Sequence, residues 1–306
     1  MHTLPLRSLA KYALLCAPLA IVACDDDDVE DIITSIDDSP TVVLEARDEL
    51  ETLEEAVDRV DLGDALNDAS ALTLFAPNNG AFDGVDVDAL SDEALTDVLL
   101  YHALLGVTIP SDSIAQDLTV VRSSDNAAPS LIINNANGSI TVNDASVVTP
   151  DVLTDNGVIH VIDEVLMMPT IVDLATYVPS LSGLVSAVTQ AELVEALSAT
   201  GGDGFTVFAP SNDAFTRTPT TGLSNERLGE ILQYHVVSGV VLAGDIEDGD
   251  TVTTLAGVEL TLNVGDDGAV TITDGNSDND DATVTLTNVR GTNGVVHVIN
   301  NVLLPE

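Results

Sequence analysis

One ten-residue segment occurs twice in this chain. Thr73-Leu74-Phe75-Ala76-Pro77-Asn78-Asn79-Gly80-Ala81-Phe82 returns as Thr206-Val207-Phe208-Ala209-Pro210-Ser211-Asn212-Asp213-Ala214-Phe215, an offset of 133 (208 − 75). Tyr101-His102 returns as Tyr234-His235 at the same offset. Asn156-Gly157-Val158-Ile159-His160-Val161-Ile162 returns as Asn293-Gly294-Val295-Val296-His297-Val298-Ile299, an offset of 137 (297 − 160). Three landmarks in one order mark a duplicated unit of domain size, not the short period of a solenoid.

Each unit opens with helical spacing. Leu50, Leu53, Val57 and Val60 recur at three- and four-residue steps, as do Leu181, Leu184, Val188 and Ala191, so one stripe of each faces a core. The Thr-x-Phe-Ala strand stops at a proline, which has no N–H for a ladder. A second helix follows, with Ser91 and Ser224 as N-caps. Its apolar face reads Leu95, Val98, Leu99 in one unit and Leu228, Ile231, Leu232 in the other, with His102 and His235 next on that face. Beyond the histidines the period falls to two and valine and threonine become frequent. Strands are predicted over 118–122, 131–134, 139–142, 145–148 and 157–165, and over 250–254, 258–262, 269–273, 283–288 and 294–303. Asn137-Gly138 signals a two-residue hairpin. Helices first and strands second give an α+β class, with a mostly antiparallel sheet or sandwich in each unit.

The first residues carry a different signal. Arg7 and Lys11 precede an apolar run from Tyr12 to Val22, too short to span a bilayer, and Ala23-Cys24 closes it. This order predicts a signal peptide over 1–23, cleavage before Cys24 and lipid attachment at Cys24. An acidic flexible tether covers 24–39, and the two units cover 40–168 and 169–306, with Pro169 at their boundary. Cys16 leaves with the leader, so no disulfide forms within one mature chain. Six basic residues then face 51 acidic ones, a net of −45 (6 − 51), and no lysine remains. Nucleic acid and anionic membrane surfaces are poor partners for such a body. The acid is spread along the whole chain, as a salty habitat would favour, instead of being gathered into loops.

The Thr-x-Phe-Ala-Pro segment, the Tyr-His pair and the Asn-Gly-x-x-His-Val-Ile segment resemble the three signature regions of the fasciclin-like domain family, within the periostin/fasciclin superfamily. The resemblance covers about Pro40 to Pro305. It implies tandem domains, each a seven-stranded β-sandwich or wedge wrapped by several helices, and a non-enzymatic adhesion function. Implied partners are extracellular-matrix or cell-surface protein or polysaccharide, with the membrane reached through the lipid anchor. The implied location is the cell envelope, after secretion, at the cell surface or periplasmic face. A contact proposed for animal members maps onto Leu99, Leu100, Tyr101 and His102, and onto Leu232, Tyr234, His235 and Val236. Asn78-Asn79-Gly80 departs from the family's usual Asp, kept as Asp213, which predicts a less firmly capped turn in the first unit.

Bland readings compete with these. A histidine on an apolar helix face belongs more naturally to the core, with the tyrosine packed over it, than to a receptor contact. A His102–His160 metal pair, or His235–His297, lacks a third ligand, so neither metal nor cofactor is expected. The run Asp274–Asp281 offers carboxylates, but counted from Asp278 it misses the EF-hand glycine and the final acid, so a solvated loop is expected. No nucleophile elbow, phosphate-cradling loop or zinc-protease motif occurs. The competing functional reading is a polysaccharide or small-ligand module, assisted by calcium.

Overall fold

The computed structural model describes residues 38–122, 128–218, 222–276 and 279–305. The leader, Cys24, the tether through residue 37, and Ser277 and Asp278 of the acidic run lie outside them.

The first unit begins with three short helices, α1 (Pro40–Glu45), α2 (Glu51–Arg59) and α3 (Gly63–Asn67). The predicted stripe is buried at Leu50, Leu53 and Val57. Leu50, however, closes a 3-10 turn (Asp48–Leu50) ahead of α2. Strand β1 (Leu72–Pro77) is buried along its length. Helix α4 (Asp92–Tyr101) starts at Ser91, whose side chain accepts from the Ala94 N–H, as predicted. Then come β2 (Ala103–Leu105), β3 (Asp117–Arg122), β4 (Ser130–Ala136), β5 (Ser139–Val142), β6 (Ala145–Thr154) and β7 (Gly157–Ile162). Asn137 and Gly138, at φ of 56° and 89°, form the β4–β5 turn that their sequence signals.

The second unit repeats the plan. Its helices α5 (Ile171–Tyr177), α6 (Ser182–Gln190) and α7 (Val194–Ser198) precede β8 (Phe205–Pro210), α8 (Asn212–Arg217) and α9 (Asn225–Tyr234). Strands β9 (Val236–Ser238), β10 (Asp250–Thr253), β11 (Glu259–Val264), β12 (Val270–Thr273), β13 (Ala282–Gly291) and β14 (Gly294–Ile299) follow. Thr170 and Asp173 cap α5 reciprocally.

Both units are α+β, each with one mixed seven-stranded ladder, in the orders β2-β1-β7-β6-β5-β4-β3 and β10-β11-β12-β13-β14-β8-β9. The β1–β7 and β8–β14 pairs, one strand in from an edge, are parallel, and the other pairs are antiparallel. Ten-residue β6 pairs with β5 at its start and with β7 over the rest, slipping register twice between Val147 and Val152. Those slips bend the strand and turn one ladder into two wedge faces. In the second unit a bridge from Val237 to Thr254 draws β10 back to β9, so the sheet closes toward a barrel.

The two units meet. One face of the β3–β4 pair offers Leu118, Val120 and Ile132, which pack into the helical core of the second unit beside Val178 and Val289. The Asn134 amide donates to the Tyr177 carbonyl (3.0 Å), and the Arg290 N–H donates to Ser130 Oγ (3.0 Å). Leu131 and Ile133 point the other way, into the core of their own unit. Leu131-Ile132-Ile133 is thus apolar without alternation because both faces of β4 are covered. The matching residues of β11 read Leu260-Thr261-Leu262, with Thr261 only partly buried. The two units are therefore not independent at this face. Where the linker crosses β13, a Cβ on Gly291 would come within 2.8 Å of the Ile171 nitrogen, so close approach requires the glycine.

Candidate functional site

All four histidines of the repeated motifs are buried, each about 1 % exposed. His102 Nδ1 donates to the Val98 carbonyl (2.7 Å), and its Nε2 accepts from the Leu166 N–H (2.8 Å). His235 does the same with Ile231 (2.7 Å) and Leu303 (2.9 Å). Each ring thus ties the end of a helix to the chain segment that leaves the last strand. His160 Nε2 donates to the Ile109 carbonyl (2.9 Å), and its Nδ1 accepts from the Asp151 N–H (3.3 Å). His297 repeats this with Val241 (2.9 Å) and Asn288 (3.3 Å), where β13 slips register. Asp151 and Asn288 adopt positive φ there. A C=O partner requires N–H on one nitrogen, and an N–H partner requires a lone pair on the other, so the bonds specify neutral rings. No lone pair is left for a metal, and among the described residues no group of three metal-ligating side chains forms.

Burial pushes His102 and His235 down to about 4, partly offset by their carbonyl partners. His297 is lowered as well, mainly by burial. Phe75 stacks on His160 with ring centroids 5.6 Å apart, and Phe208 lies against His297 at 5.8 Å.

The rest of each motif is spent in the same way. The Tyr101 hydroxyl donates to the Ser130 carbonyl (2.9 Å) and accepts from the Asn143 amide (3.0 Å), and burial pushes its phenol up. Its ring sits among Phe75, Leu131 and Ile133, where it pins β4. The Tyr234 hydroxyl donates to the Asp274 carbonyl. Thr73 Oγ1 donates to Val107 and accepts from Ile109, and Thr206 does so with Gly239 and Val241. The Asn156 amide donates to the carbonyls of Leu66, Asn67 and Ala69, closing the end of α3. Asn293 closes α7 through Leu197 and Ala199. At Gly157 and Gly294 an added Cβ would overlap the carbonyls of Leu72 and Phe205.

One pair of residues escaped the sequence reading. Asn79 Oδ1 accepts from the Thr52 N–H at the start of α2, and its amide donates to Asp48. Asn212 does the same for α6, with Gly183 and Pro179. Their signal was the Pro-x-Asn spacing common to both copies. Asn78 accepts from the Ala81 N–H, so the cap expected to be weak is made. The helix after it is nevertheless 3-10 (Asn79–Gly84), where the second unit forms α8.

Of the eight residues mapped as a contact, Leu99, Tyr101, His102, Leu232, Tyr234, His235 and Val236 lie inside. Leu100 alone is exposed, at 37 %. In the acidic run, the Asp274 carboxylate accepts from Asn276, Asn279 and Leu304, so its oxygens close the loop.

Duplicated α+β units, whose shared polar residues hold helix ends and strand bulges in place, define a tandem-domain class in which the signature maintains the fold. The fasciclin domain model matches residues 48–169 and 179–305, and the chain belongs to the fasciclin domain family. Human periostin is 31 % identical over 259 residues, which is 80 % of this chain and 30 % of periostin. Protein sll1483 of Synechocystis is 43 % identical over 143 residues, 44 % of this chain and 73 % of that protein. The pig transforming growth factor-beta-induced protein ig-h3 is 28 % identical over 253 residues, 77 % of this chain and 35 % of that protein. The chain thus spans about a third of periostin and of ig-h3. A solved domain pair from the insect cell adhesion molecule fasciclin I covers 84 % of this chain and 97 % of its own, with a TM-score of 0.48 at 20 % identity.

Proposed function

We propose that the protein is a non-enzymatic adhesion module, secreted and held at the cell envelope by lipid on Cys24, whose two fasciclin domains contact matrix or cell-surface protein or polysaccharide. The observation that supports it best is the internal use of the repeated polar residues. With the shared histidines, tyrosines and asparagines bonded to the fold, recognition falls to the outer faces, and those carry most of the 51 carboxylates. Such faces suit basic or cation-bridged partners and repel nucleic acid. Joining two weak sites on one chain raises avidity where both engage together.

Capture of cell-surface material on the immobilised protein, at low and at high salt, tests this reading. Retention that weakens with salt and requires both domains supports it; no retention at low salt refutes it. Cys24→Ala is expected to release the protein from membranes, and unchanged membrane retention removes the anchor. A glycan array with and without chelator separates off the polysaccharide reading: sugar binding lost on chelation favours a calcium-assisted lectin.

A further inference from the structure

Each unit has a recess between its opening helices and the end of its sheet. In the first unit Leu53, Leu66, Leu74, Leu100 and Leu105 fill it, and about 10 Å³ remains. In the second unit the same place is an open cavity of about 290 Å³, floored by Val207, Val296 and His235 and walled by Leu184, Val188 and Leu197. Smaller side chains account for part of the difference. Val207 stands where the first unit has Leu74, Val296 where it has Ile159, and Ser238 where it has Leu105.

Charge changes with volume. Helix α2 carries five charged residues in nine, whereas α6 carries none. Val185 and Thr189 replace Glu54 and Asp58 at the rim, and no charged residue occurs from Leu174 to Ala191. Only residues 126–143 run as long without a charge in this chain of 306 residues with 51 acidic ones. The polar groups at the cavity are already bonded. Asp173 accepts from Thr170, the hydroxyls of Thr176 and Thr189 donate to Asp173 and Val185 carbonyls, and both His235 nitrogens are engaged. Only the second carboxylate oxygen of Asp173, at the N-terminal end of α5, has no such bond, so the buried part of a ligand is apolar. The volume is about twice that of the dry, ~150 Å³ apolar cavity that admits benzene, which suits a medium-length alkyl chain. A net charge of −43 over the chain disfavours an anionic head.

We propose that the second domain binds one medium-length alkyl chain carried on a neutral or cationic head, and that the first domain is its filled counterpart. This binding is independent of the adhesion reading and is tested without any surface partner. The full chain is titrated with 1-decanol, with methyl NMR following the signals of the lining residues. Displacement of the neutral fluorophore N-phenyl-1-naphthylamine gives the affinity. Saturable shifts confined to Val188, Leu197, Val296 and their neighbours are expected. Decyltrimethylammonium should compete at least as well as decanol, and decanoate at least tenfold worse. Val194, 39 % exposed at the mouth, tolerates a larger ring. Val194→Trp should cut decanol affinity at least tenfold while Leu100→Trp, at the closed recess, leaves it unchanged. The chain has no other tryptophan, so blue-shifted emission reports that the ring is seated. Absence of saturable binding up to the solubility limit, shifts spread over both domains, or equal loss in the two variants overturns the proposal. Decanoate binding as tightly as decanol overturns it too.

Discussion

Acid should unfold this protein through two histidines before it touches the carboxylates that dominate the composition. In the fold, His102 and His235 each offer Nε2 as an acceptor to a backbone N–H. A proton there removes that bond, sets donor against donor and buries a charge. Their folded values of about 4 lie below the ordinary 6.5. A lowered folded value means the neutral ring is favoured by folding, so the stabilisation is complete above about pH 6.5 and is lost as pH falls toward 4. At pH 4.5 the difference amounts to roughly 2–3 kcal/mol per ring, about 5 for the pair. That is a large part of the 5–15 kcal/mol typical of a folded domain. Protonating surface carboxylates relieves repulsion and acts with the opposite sign, so the assay is urea unfolding in 1 M NaCl, where the screening length is about 3 Å. The native protein should lose several kcal/mol between pH 7.5 and pH 4.5. A His102→Asn/His235→Asn double variant should start less stable and lose far less over that interval. Equal losses in the two proteins would refute the assignment of acid sensitivity to these rings.

Gly157→Ala places a Cβ against the Leu72 carbonyl in the parallel β1–β7 pair, and should cost at least about 3 kcal/mol in chemical denaturation, far more than Gly84→Ala, where space is open. Ile132→Thr installs the residue that the second unit carries at the same ladder position. It should cost about 2 kcal/mol and split a single calorimetric transition into two, because the wholly buried Ile132 joins the units. Melting temperature should rise from 0.1 to 1 M NaCl as like charges are screened, and a flat or falling trend would contradict the repulsion implied by the charge of −43.

What the chain disclosed before folding was whatever local chemistry determines. Ser91 and Ser224 announce their helices because an N-cap is a one-residue decision, and Asn137-Gly138 announces its turn because both positions need positive φ. Strand β5 falls on the predicted residues, since alternation with one buried face is visible there. Three-residue β2 and β9 were missed, being too short to show a period, and only the neighbouring β1 and β8 make them strands. The parallel pairs β1–β7 and β8–β14 were equally hidden, because orientation depends on how the chain returns. For the candidate site, the apolar helix face placed the histidines indoors correctly, but not the partners of their nitrogens. Leu166 and Leu303 reach them from the end of each unit, across 64 and 68 residues.

Duplication supplies an internal control for separating structure from specialisation. The threonine bridges and the histidine cross-links that both copies retain each make the same bonds in the two units, whereas the shared tyrosines reach different carbonyls, those of Ser130 and Asp274. Specialisation then has to be sought where the copies part. They part at Ile132, facing the second unit, and at the recess, filled in one copy and open in the other. Both departures converge on α5. Its residues Ile171 and Ala175 line the cavity, the carbonyl of its last residue, Tyr177, accepts from Asn134 of the first unit, and Ile132 packs into the same apolar cluster. A helix of seven residues, clamped by its own capping box at Thr170, therefore forms part of the cavity wall on one side and of the seam between domains on the other. Since α5 is one short rigid element, displacing it to widen the cavity displaces the seam as well.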